Sequence, residues 1–203
     1  LGDVGPRTGP AFRGVAMDVA QTGLRFGFRG IKRDDPDFVA AYIMNHILGG
    51  GSFTSRLYSE VREKRGLAYS VFSSVYPLDG TGIFIGGTSS RTDRAGESLK
   101  VIRAELESMA KTGPTAAELA AAKTFLTGAY PLRFDSNSKI ANQLIGIQIQ
   151  GLGIDYVNIR NGLINSITLD DVQRIARRLL KPGELIITAA GQPASLKEFE
   201  PDS

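Results

Sequence analysis

A β-hairpin constrains this chain more than any other feature. Leu67 to Tyr76 is a run of β-branched and aromatic residues, and Thr81 to Thr88 reads as its return strand. Between them lies Pro77-Leu78-Asp79-Gly80. Asp-Gly between two extended runs is the strongest short-range hairpin signal, because both positions tolerate the positive φ that tight turns require. Any fold for this chain must cover one face of that pair.

The rest of the chain supplies the cover. Val15 to Phe28 holds two extended pieces, the second alternating Leu24, Phe26 and Phe28 with Gly23, Arg25 and Gly27. Asp34-Asp35-Pro36 predicts an N-cap with proline at the first helical position. The helix behind it carries Phe38, Tyr42, Ile43, Ile47 and Leu48 and stops at Gly49-Gly50-Gly51. A second helix spans about Thr54 to Lys64 and ends at Gly66. After the hairpin, Ala95, Leu99, Ile102, Leu106 and Met109 share one helix face. Thr115 and Glu118 form a capping box for the next helix, and Pro131 ends or kinks it. Asp135-Ser136 opens a further helix over Ile140 to Gln150. A short helix over Tyr156 to Leu163 follows, then one capped by Thr168 with Val172, Ile175, Ala176 and Leu179 inward. After Pro182-Gly183, Glu184 to Ala190 reads as a closing strand buried on both faces. The order β-β-α-α-β-β-α-α-α-α-α-β is α+β, with a mostly antiparallel sheet and helices on one face. Residues 1–14 read as a Gly/Pro-rich linker, 15–191 as one domain and 192–203 as a loose polar tail.

Composition narrows the chemistry. With 203 residues, 42% hydrophobic and 22% charged, the chain fits one soluble globular domain. A net charge of +3 is too slight to argue for nucleic acid or an anionic membrane. There is no cysteine, which excludes disulfides, thiolate metal sites and a cysteine nucleophile. One histidine, His46, is too few for a catalytic zinc, which takes two or three imidazoles. No apolar run approaches the ~18 residues of a membrane span. The opening at Leu1, without a charged-then-apolar leader, reads as an excised piece.

Most motif-like stretches have plain structural readings. Gly49-Gly50-Gly51-Ser52 follows no strand and lacks a Gly-Lys-Ser/Thr continuation, so it is a helix corner and not a phosphate loop. Ser136-Asn137-Ser138-Lys139 and Lys111-Thr112-Gly113 match penicillin-recognising motifs only in the wrong order. His46 sits near a helix C-terminus, where a partly charged imidazole is favourable. Asp34, Asp35 and Asp37 complement a helix dipole. Arg174, Arg177, Arg178 and Lys181 form the solvent face of the last helix. One pair stands out: Arg62 in the last turn of a helix and Tyr69 at the start of the next strand. The break at Gly66 lets both converge on one cleft, where a guanidinium and a phenol can donate to a carbonyl oxygen becoming an oxyanion. A dipole-compensating Arg beside a strand-forming Tyr is the simpler alternative.

Read whole, Ile47 to Leu57 followed by Val61-Arg62-Glu63-Lys64-Arg65-Gly66-Leu67-Ala68-Tyr69-Ser70-Val71 resembles the C-terminal domain of the peptidase M16 (pitrilysin/insulinase-type) zinc peptidases. Pro131 to Asn137 and the ending from Asp170 to Gly191 are similar to the bacterial subfamily. The resemblance runs from about Val15 to Gly191. It implies a clamshell of two homologous α+β halves, one carrying an inverted His-x-x-Glu-His zinc motif. The other, metal-free half supplies an Arg/Tyr pair for substrate backbone and the polarised carbonyl; by spacing these are Arg62 and Tyr69. This chain contains no His-x-x-Glu-His. The resemblance therefore implies a metal-free half, inactive alone, with no cofactor of its own. Its zinc-bearing partner half, on the same polypeptide or a separate subunit, would hold the zinc, and peptide would be the substrate. The mitochondrial processing peptidase's regulatory subunit has a longer glycine-rich loop than Gly49-Gly50-Gly51, which argues against presequence processing. The resemblance also leaves a structural core-subunit role, as in the respiratory bc1 complex, or a stand-alone peptide-binding module. It points to a bacterial periplasm or envelope location.

Overall fold

The computed structural model describes residues 10–192 together with Leu196. Five strands form one sheet in the order β1-β5-β2-β4-β3. They are β1 (Ala11–Ala16), β2 (Gln21–Arg29), β3 (Ala68–Leu78), β4 (Thr81–Arg91) and β5 (Ile186–Gly191). The β1–β5 pair is parallel and all the others are antiparallel. The hairpin forms as read: Leu78 pairs with Thr81 across the Asp79-Gly80 turn.

Six α-helices, α1 (Phe38–Asn45), α2 (Ala95–Thr112), α3 (Ala116–Gly128), α4 (Asn137–Ile149), α5 (Tyr156–Ser166) and α6 (Leu169–Leu179), cover one face. The inward sheet residues Leu24, Phe26, Phe84 and Ile187 meet Ile43 and Met44 of α1, Leu99 and Ile102 of α2, and Val172 and Ile175 of α6 in a single core. The α2 face read from the 3.6 period is fully buried over its length. Burying side chains of this size stabilises by about 1.5–3 kcal/mol each before the entropy of ordering them is counted.

Four expectations need correction. β1 starts at Ala11, inside the stretch read as linker, because its backbone completes a parallel ladder with β5; residues 1–9 lie outside the described residues. The polar tail lies outside them too, except for residue 192 and Leu196, whose apolar side chain is fully buried in the core. β5 alternates inward Ile187 and Ala189 with exposed Thr188 and Ala190, since the helices cover only one face of the sheet. α1 begins a turn later than Asp34-Asp35-Pro36 suggests, and no side chain caps it. The Asp35 carboxylate instead accepts from the Asp37 backbone N–H at 2.9 Å and from Arg178 at 2.6 Å. Arg174 joins it by pairing with Asp37 at 2.7 Å. The two arginines read as a solvent face therefore tie α6 to the entrance of α1.

The capping box of α3 is present in both directions, and Arg56 joins it by donating from Nε and Nη2 to the two Glu118 oxygens at 2.6 and 2.7 Å. This pair pulls the Glu118 carboxyl down from 4.5 to about 2, against the opposing effect of burial. A depressed carboxyl contributes stability above its unfolded value and loses it as pH falls through the folded one. Glu118→Gln is expected to destabilise the chain at pH 7 by about 1 kcal/mol, the size of a lost cap. The gap between variant and parent in denaturant midpoint should close between about pH 4.5 and 2. A gap that stays constant with pH would exclude the charged pair as its source.

Candidate functional site

The Gly49-Gly50-Gly51 corner seats the helical layer on the sheet. After Asn45 the helix widens into a π-turn over His46–Gly50, closed by Gly51 N–H donating to the His46 carbonyl at 2.8 Å. A Cβ on Gly49 would lie 2.5 Å from Ser73 Oγ and 2.8 Å from Ser73 N, both on β3. Only glycine allows that approach. It brings Asn45 Oδ1 within 2.8 Å of the buried Ser73 hydroxyl, which donates to it.

The next segment turns over Ser52–Thr54 and enters a second π-helical stretch, Tyr58–Glu63, where the sequence predicts an ordinary α-helix. Ser52 holds φ at 51°, the only non-glycine with positive φ among the described residues. Gly66, at φ 58°, ends the stretch, with its own N–H donating to the Arg62 carbonyl and that of Leu67 to the Val61 carbonyl. The chain then enters β3 through a bulge: Ala68 pairs with Ser90 but Val71 with Thr88, leaving an extra residue on β3. Bulges re-aim side chains, and here Tyr69 and Ser70 are both exposed in succession.

These two devices bring Arg62 and Tyr69 together. The Arg62 guanidinium lies between two rings, 4.8 Å from the centre of Tyr69 and 4.9 Å from that of Tyr58. Arg62 Nη1 donates to the Tyr58 hydroxyl. Such stacking contributes about 0.5–1 kcal/mol per contact at exposed sites, and it holds the guanidinium plane. Arg62 Nε and Nη2 and the Tyr69 hydroxyl have no hydrogen-bond partner among the described residues and are free to donate. Tyr58 is a site residue the sequence reading missed; its i, i+4 spacing to Arg62 was the available signal.

The pair stands at one end of a cleft of ≈ 680 Å³. One wall is β3 from Tyr69 to Ser74; the other includes Tyr42, His46, Gly50 and Phe53. β3 is a terminal strand of the sheet, bonded to β4 alone. His46 packs flat on Phe125 with centroids 5.1 Å apart. Burial lowers its pKa from the ordinary imidazole value, which works against the partial charge expected of a helix-end histidine. Among the described residues no three His, Cys, Asp or Glu side chains cluster to hold a metal. With a single imidazole, stacked on a phenyl ring, this cleft does not fit a catalytic zinc. No helix among the described residues is long and apolar enough to cross a membrane.

The structure is thus an α+β domain with a donor pair in a cleft beside the terminal strand β3. Comparison with known proteins makes the assignment. Residues 2–126 match the family model of the peptidase M16 inactive domain. An uncharacterized zinc protease of Streptomyces coelicolor is 34% identical over 169 residues, covering 82% of this chain and 36% of its own length. A peptidase M16 inactive domain from Pseudomonas fluorescens superposes with a TM-score of 0.84 at 32% identity, covering 95% of this chain and 46% of that one. The inactive peptidase domain of a zinc protease from Bordetella parapertussis shares the fold at 21% identity and TM-score 0.71, and there the match covers 94% of the solved chain. The chain belongs to the peptidase M16 family, as its inactive domain. It spans less than half the length of the first two relatives.

Gly66 generates the test of this geometry. A Cβ there meets nothing within 4 Å, so substitution adds backbone strain alone. Gly66→Ala should lower stability by about 1–2 kcal/mol and the Tm by roughly 2–4 °C per kcal/mol, with Gly66→Asn less affected. A thermal melt in which both variants match the parent would rule out strain at this turn.

Proposed function

We propose that this chain is the substrate-binding half of a two-half zinc peptidase. An extended peptide lies along β3, where backbone pairing with a free edge requires no particular sequence. Arg62 and Tyr69 donate to the carbonyl being attacked, and their donation strengthens as charge builds on its oxygen. The zinc-bearing half supplies the metal chemistry. What this chain contributes is backbone alignment and two aimed donors. The observation that supports this most is the Arg62 guanidinium, held by Tyr58 and Tyr69 with two donor nitrogens left unspent at the start of the cleft.

The test is hydrolysis of a quenched fluorescent peptide by this chain, by its zinc-bearing half and by the mixture, with zinc content recorded. Activity is expected only in the mixture. Loss of one such donor typically costs about 2.7–4 kcal/mol of barrier, so Tyr69→Phe should lower kcat about 100- to 1,000-fold with little change in KM. Arg62→Ala should be at least as damaging. An assembled enzyme whose kcat ignores both substitutions, or a verified assembly without activity, would favour the structural core-subunit role.

A further inference from the structure

A second cavity, of ≈ 320 Å³, continues where the first cleft ends. The two share Tyr42, and β3 runs from one into the other, with Val75 and Pro77 on the second wall. Its electrostatics are one-sided. Arg33, Arg133 and Arg160 line it, and no aspartate or glutamate is among its lining residues.

Arg160, on α5, is only 6% exposed. Its Nη1 donates to the Leu126 carbonyl in the last turn of α3 and to Asn161 Oδ1, both at 3.1 Å. The guanidinium lies 4.2 Å over the Tyr130 ring. No carboxylate pairs with it among the described residues, and its Nε and Nη2 have no partner there. The carbonyl end of α3 compensates part of this charge. A nearly buried cation without a counter-ion is otherwise costly. Tyr130 adds a second anomaly: its hydroxyl is the one buried side-chain polar atom without a hydrogen-bond partner among the described residues. Arg33 is held at the far side by donating to Gln150 Oε1 at 2.8 Å and to the Tyr156 hydroxyl at 3.0 Å. Arg133 is exposed and forms no ion pair among the described residues. Phe38, Val39, Leu152, Leu163 and Ile164 supply apolar walls.

We infer that this cavity is a binding site for a carboxylate attached to an apolar group, received by Arg160 and the Tyr130 hydroxyl, with Arg133 closing over it. A carboxylate matches the guanidinium fork and the single buried positive charge. An alkyl group beside it fills walls that inorganic phosphate would leave wet. A peptide's free C-terminus and an acidic side chain both carry this chemistry. The site touches the peptide reading through the shared Tyr42 wall and the continuation of β3. Its test involves no peptidase assay, so either conclusion can fail alone.

The nitrogen-labelled 203-residue chain is titrated with N-acetyl-leucine, N-acetyl-leucinamide, N-acetylglutamic acid α-amide and inorganic phosphate, following backbone amide shifts. N-acetyl-leucine is expected to move Gly146, Leu152 and Ile164, with the neutral amide about tenfold weaker or more. The tighter of the two acids identifies the source as chain end or side chain, and either supports the site. Tyr130→Phe should weaken the acid severalfold without lowering the Tm, because the hydroxyl has no partner to lose; Arg133→Gln should do the same. Equal affinity for acid and amide, shifts from neither acid, tighter binding of phosphate, or an acid affinity untouched by Tyr130→Phe would each overturn the inference.

Discussion

The contact on which the rest of this structure depends is the approach of Gly49 to Ser73. No other residue type permits it, since a Cβ at Gly49 would overlap both the backbone and the hydroxyl of Ser73. With it come the buried Asn45–Ser73 hydrogen bond and the full burial of Leu48. The π-turn over His46–Gly50 contains this glycine and carries the chain onto the strand. A helix end fastened to an edge strand leaves a trough between them. The two cavities described above both border β3 and Tyr42.

The two cavities are electrostatically unlike. In the first, Arg62 is stacked between tyrosines with two nitrogens still open, and burial disfavours the charged form of His46. A polarised carbonyl is better served by aimed donors than by a free counter-charge, which would bind any anion. In the second, Arg160 and Tyr130 keep unsatisfied donors inside an apolar wall. Other arginines are committed to carboxylates: Arg174 and Arg178 to Asp37 and Asp35, and Arg56 to Glu118.

Much of the architecture was legible in the residues, and the failures have a common physical origin. Helix faces and the two Thr-initiated capping boxes depend on local spacing, and α2, α3 and α6 formed as read. The Asp-Gly turn set the β3–β4 register for the same reason. What local spacing misses is decided by partners far along the chain. Asp35 looked like a cap because Arg178 is distant in sequence, and β1 looked like linker because β5 is. The convergence of Arg62 and Tyr69 was legible from the break at Gly66. The bulge that turns Tyr69 outward was not, because it depends on how β3 meets β4; the clamp by Tyr58 had a local signal, its i, i+4 spacing to Arg62, that went unread. The second cavity was illegible throughout, since Arg33, Tyr130 and Arg160 come from three separate segments.

The parallel β1–β5 pair has a consequence for how the chain is made. Ala11 finds its ladder partner only at Ile186, so a ribosome releases the first strand long before its neighbour exists. Contacts this distant in sequence slow folding, because a large loop must close before they return any stabilisation. The hairpin and the helices that follow it can condense during synthesis at a typical 5–20 residues per second. The outer edge of the sheet cannot. For that interval β2 presents an open edge where β5 will sit, and such edges invite pairing with another chain. Late completion of its sheet is thus built into this topology.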